Sequence, residues 1–111
     1  MSAENKGTVR ISEDVVTSLA AAAVTDIKGV EKIRPKYSSI RRFLKNDKPL
    51  EVRVTGDVIE INTDVILKYG YNAVSVCEKI QESVKSEIQA VTGITVSKVN
   101  VTVSGIIFDR K

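Results

Sequence analysis

The chain has 111 residues, 42% hydrophobic and 28% charged, with seventeen Lys/Arg against fourteen Asp/Glu and a formal charge of +3. That length and balance fit one globular domain with an ordinary core. With no histidine, no tryptophan and one cysteine, Ser-His-Asp and Cys-His chemistry, most zinc sites and an intramolecular disulfide are excluded.

Met1 to Gly7 is polar and has no apolar h-region, so it is expected to be a flexible tail rather than a signal peptide. The longest apolar run, Leu19 to Val24, has six residues, against about 20 needed to span a bilayer. Thr8 to Ser12 alternates and predicts a short strand. Ser12 then serves as an N-cap, with Glu13 and Asp14 in the favourable first turn. Val16, Leu19, Ala20, Ala23, Val24 and Ile27 recur at helical spacing, and Gly29 is expected to end that helix. Val30 to Arg34 reads as an edge strand stopped by Pro35. Between Pro35 and Pro49, Ser38 or Ser39 can cap a turn or two of helix, with Ile40, Phe43 and Leu44 on one side and Arg41, Arg42 and Lys45 on the other.

The clearest β signal is "LEVRVTGDVIEINTDVILKY": Leu50, Val52 and Val54 face one way, as do Ile59, Ile61, Val65 and Leu67 after a Gly56-Asp57 turn. Tyr69-Gly70-Tyr71-Asn72 raises two readings, a ligand-binding turn or a corner from strand to helix. No phosphate-loop glycine spacing is present, and the corner reading is preferred, with the Tyr69 ring plugging the end of the core. Asn72 caps a second helix with the stripe Ala73, Val76, Cys77, Ile80, Val84, Ile88 and Val91, ended by Gly93. Cys77 within that stripe reads as a small core hydrophobe. Ile94 to Phe108 is a long last strand with Val99, Val101 and Val103 inward.

These elements predict an α+β two-layer sandwich, with two long helices on one face of a four- to five-stranded mixed sheet in the order β-α-β-β-β-α-β. Residues 8–111 are expected to form one domain carrying a basic excursion at 31–50. There, seven basic residues (Lys32, Arg34, Lys36, Arg41, Arg42, Lys45, Lys48) meet two acidic ones. Such an excess attracts anions, and Lys36, Arg41, Arg42, Lys45 and Lys48 are the candidate contacts; the bland alternative is a solvated loop. In the last strand, Ile106 and Phe108 fall on the opposite parity from Val103, beyond Gly105. Either a bulge restores the register and buries both, or the pair forms a self-association surface.

An opening "GTVRISEDVVTSLAAAAVTDIKGV" and a central "VIEINTDVILKYGYNAVSVCEKIQESVKSEIQAVTGITVSKVNVTVSGI" together resemble the alkaline-shock, or envelope-stress-response, family of Gram-positive bacteria. Matching positions include Gly7, Val9, Ile11, Ser12, Gly29, Val30, Tyr69, Gly70, Asn72, Gln81, Val84, Thr92, Gly93, Val99, Asn100, Val101 and Gly105. The resemblance covers about four-fifths of the chain, missing mainly Pro35 to Pro49. It implies a non-enzymatic cytoplasmic protein that self-assembles, in some members held beneath the membrane by an anchored partner, with no catalytic residues, cofactor or small-molecule substrate to transfer.

The reading is therefore a non-catalytic scaffold of the envelope stress class. The runner-up is a nucleic-acid-associated accessory module using the basic excursion. No KH-type G-x-x-G loop or aromatic-rich RNP strand supports sequence-specific binding. If the basic excursion binds phosphate, reversing Arg41, Arg42 and Lys45 to Glu abolishes nucleic-acid binding and flattens its salt dependence in a titration; unchanged affinity rejects the contact.

Overall fold

The computed structural model describes residues 12–34 and 50–108. The expected tail, the strand expected at Thr8 to Ser12 except for Ser12 itself, and the basic segment from Lys36 to Lys48 lie outside these residues. What is described is an α+β arrangement of two helices and a four-stranded mixed sheet.

Helix α1 spans Glu13–Thr25, its Val15 N–H donating to the Ser12 hydroxyl at 3.2 Å. It is capped at Asp26, three residues before the expected stop at Gly29. Strand β1 is Val30–Ile33, β2 is Glu51–Thr55 and β3 is Val58–Lys68. Gly56, at φ +59°, supplies the left-handed backbone that the β2–β3 hairpin turn needs. Helix α2 spans Ala73–Thr92; Ser75 N–H donates to Asn72 Oδ1 at 2.9 Å, and left-handed Gly93 closes it through a bond to the Gln89 carbonyl. Strand β4 is Thr95–Ile107.

Strand β3 organises the sheet. One edge pairs along its length with β4 in parallel, and α2 supplies the crossover that a parallel pair requires. The other edge is shared end to end by two antiparallel strands, β2 beside Val58–Asn62 and β1 beside Val65–Leu67. The odd residues of β3, from Ile59 to Leu67, are all buried beneath the helices. Val16, Ala20, Ala23 and Val24 of α1 and Val76, Ile80, Val84 and Ile88 of α2 close over them. The alanines keep α1 slim enough to lie against both α2 and the sheet. Each Val, Ile or Leu sealed there contributes about 1.5–3 kcal/mol.

Several expected core members sit differently: Val54 of β2 is 54% exposed and Ala73 of α2 is half-buried. Cys77 flanks the buried stripe and is half-buried. Val91, in the last turn of α2, shares the inward face but is exposed.

Thr63 interrupts the apolar row of β3. It is fully buried, and its hydroxyl has no hydrogen-bond partner among the described residues. A stranded buried hydroxyl costs about 1–3 kcal/mol. Thr63→Val is expected to raise the unfolding free energy by about 1 kcal/mol, read as a higher urea midpoint at constant slope.

Candidate interaction surfaces

At the end where β3 finishes, Gly70 at φ +100° turns the chain out of the sheet and into Asn72. The turn is held from both sides: Lys68 N–H donates to the Gly29 carbonyl at 2.8 Å and Tyr69 N–H to the Ile107 carbonyl at 2.9 Å. The Tyr69 ring does not plug the core as expected. It is 65% exposed and lies on Phe108, ring centroids 4.3 Å apart and planes 52° apart. Tyr71 instead fills the space over Gly29, where an added Cβ comes within 2.9 Å of the ring and 3.1 Å of Val76 Cγ2. Gly29 is therefore a packing position rather than a helix stop.

The parity change in β4 has a clear origin. Ile59 pairs with Val96 but Glu60 with Lys98, and Val65 pairs with Val103 but Ile66 with Gly105. Ser97 and Ser104 are the residues left over, so the inward set runs Val96, then Val99 to Val103, then Ile106. A bulge does restore the register near Gly105, as expected. It does not bury the residues beyond it: Ile106 is 52% and Phe108 62% exposed.

The cause is a difference in rise. Helix α2 meets β4 where the Gln81 side-chain amide donates to the Val99 carbonyl at 3.0 Å. From Gln81 back to Ala73 the helix advances about 12 Å, while β4 from Val99 to Phe108 advances about 30 Å. The strand outruns its cover, leaving Ile106, Phe108 and Tyr69 as one apolar cluster.

The middle of the opposite face of the sheet is polar, with Ile66 and the exposed Ile107 sharing that face where β3 and β4 finish. Asn100 donates to Asn62 Oδ1 at 2.8 Å and to Glu60 at 3.0 Å, and Asn62 donates to Glu51 at 3.4 Å, a ladder across three strands. Asp64 Oδ1, on the same face, is shielded from solvent and unpartnered among the described residues. At the other end of the sheet, the start of α1, the β2–β3 turn and Gly93–Thr95 enclose a hollow of about 440 Å³. Val54, Val58, Ile59 and Ile94 line it and the carboxylates of Glu13 and Asp57 stand among them. Sequence periodicity gave no sign of it, since it forms only where three chain segments meet.

Among the described residues no three His, Cys, Asp or Glu side chains converge to hold a metal. Burial raises the Cys77 thiol above its ordinary pKa, so it is a poor nucleophile at neutral pH. No described helix is long and apolar enough to cross a membrane. The basic candidates Lys36, Arg41, Arg42, Lys45 and Lys48 lie outside the described residues.

Among the described residues the geometry defines a helix-backed sheet with an uncovered apolar cluster at one end and a hollow at the other. The chain belongs to the alkaline shock protein 23 family, described as having a cell envelope-related function, whose model matches residues 1–108; the resemblance read from the sequence is borne out. It is 26% identical over 109 residues to the uncharacterized protein YqhY of Bacillus subtilis, covering 95% of this chain and 81% of that one. With the uncharacterized proteins Spy1614 of Streptococcus pyogenes and YloU of Bacillus subtilis it shares 28% and 27% identity over 106 residues, 90% of this chain and 88% of each relative. In fold it resembles a copper form of the MamM CTD, with a TM-score of 0.53 and 14% identity over 85% of this chain and 98% of that one.

Gly29→Ala combines a left-handed backbone with a collision against Tyr71, and is expected to cost about 2–4 kcal/mol in urea unfolding. Adding Tyr71→Ala should relieve the collision but not the backbone strain, so the two changes are expected to be non-additive.

Proposed function

We propose that this chain is a non-catalytic interaction protein of the cell envelope, acting by self-assembly and by docking to a partner. The observation that carries the reading is the uncovered cluster of Tyr69, Ile106 and Phe108, three large apolar side chains held in one place by strand pairing and ring contact. Clusters of this kind mark association sites. Membership of a family with a cell envelope-related function supports the setting. In this reading the protein works in the cytoplasm, at the inner face of the membrane through a membrane-anchored partner. Residues 8–111 act as one unit, and the basic excursion is its second contact surface.

The local excess of positive charge between Glu31 and Leu50 supports a second reading, a nonspecific nucleic-acid accessory module using Lys36, Arg41, Arg42, Lys45 and Lys48. The two are separated by capturing the protein from cells with and without nuclease. Protein partners that stay bound after nuclease support the scaffold reading, and partners that are released support the second.

An Ile106→Lys, Phe108→Lys variant is expected to keep the parent's circular dichroism spectrum and lose its larger species in sedimentation velocity. A folded variant that sediments like the parent overturns the assignment of that surface.

A further inference from the structure

The two ends of the sheet differ in shape. Where β3 and β4 finish, the Tyr69 and Phe108 rings stand out as a knob, with Ile106 beside them. Where β3 and β4 start, Val54, Val58, Ile59 and Ile94 line the hollow of about 440 Å³. That volume lies in the range that takes a small organic molecule, and is therefore ample for an aromatic side chain. Eleven residues of β3 separate the two features, about 35 Å at the rise of a strand.

Their charges differ too. The Lys68–Gly29 backbone bond brings Lys68 and Lys28 to the knob end, with Asp26 the acidic residue of the same turn. Glu13 and Asp57 stand at the hollow.

We infer that the occupant of the hollow is the Tyr69–Phe108 knob of a second copy of this chain, giving a head-to-tail contact. This rests on the self-assembly reading and specifies its geometry. Knob-on-knob pairing about a two-fold axis sets Lys68 and Lys28 against their own copies and leaves the hollow empty. The outer edge of β4 is a poorer template: the bulges at Ser97 and Ser104 break its spacing, and Gln81 already takes the Val99 carbonyl. Knob-in-hollow satisfies both the apolar and the charged groups. Because the two features lie on different parts of the body, each contact leaves one knob and one hollow free, so growth is open-ended.

The contact is weak by area. Each aromatic side chain buries about 150–250 Å² when fully covered, so two partly exposed rings supply only part of the roughly 1,200–2,000 Å² of a stable interface. Assembly is accordingly expected to depend steeply on concentration.

The test is sedimentation velocity over a concentration series on the full chain, a knob variant (Phe108→Glu), a hollow variant (Val54→Trp) and their equimolar mixture. Val54 is 54% exposed in the parent, so the fold tolerates its replacement; Asp57→Lys on the exposed turn is a second hollow variant, reversing charge without adding bulk. The parent is expected to give a ladder of species. Each variant alone is expected to be monomeric at concentrations at least tenfold above those at which the parent assembles. The mixture is expected to give a 1:1 dimer and nothing larger, since only one intact knob and one intact hollow remain per pair. Folded hollow variants that assemble like the parent, or a mixture that stays monomeric while the parent assembles, overturn the inference and leave the hollow to another occupant, such as the chain's own residues 1–11. A parent that is monomeric throughout overturns the self-assembly reading itself.

Discussion

Everything described depends on β3 being paired along both edges while its odd-numbered side chains are sealed beneath two helices. Ile59, Ile61, Val65 and Leu67 reach near-zero exposure because the two helices close over that face while neighbouring strands occupy most of both edges. Three consequences follow from that one placement. The β2 hairpin and β1 have to share an edge. Helix α2 has to carry the chain across to a parallel β4. The two ends of β3 become the two places where loops gather.

The same placement explains where packing stops. A helix rises about 1.5 Å per residue and a strand more than twice that, so α2 covers only the first part of β4. The core thins from Val96 and Val99, which are buried, through Val101 and Val103 to the open end. Apolar residues beyond the cover are not errors of folding. They follow from joining a long strand to a helix that turns back on it, and they place an aromatic pair beside the corner at Gly70. The hollow at the other end is the complementary result, where α1 begins and α2 ends without meeting the β2–β3 turn.

The sequence carried the local chemistry well. Ser12, Asn72, Gly93 and the Gly56-Asp57 turn each act as read, because a cap or a turn is decided by a few neighbouring residues. Period-two alternation gave the inward face of β3, and period 3.6 gave four of the seven stripe residues of α2 as buried. What depends on distant elements was less legible. Tyr69 has the right parity to point inward, but nothing lies above it to be plugged. Gly29 looks like a helix stop, yet its need for a bare backbone comes from Tyr71, forty-two residues later. The Ile106–Phe108 parity signalled a bulge correctly, whereas their exposure depended on comparing two rises. The outward polar ladder was written in the alternation of Glu60 and Asn62 but became visible only when Asn100 was brought beside them.

That ladder sets a limit on how the molecule can be joined to others. Amide and carboxylate groups already committed to one another make a wetted, low-adhesion surface, since burying it under a second layer strips water from many polar atoms at once. Sheets with a greasy reverse side stack into slabs; this one is discouraged from doing so. Whatever the molecule joins is steered away from its broad flat back and toward its tips, which biases any array it builds toward threads rather than plates.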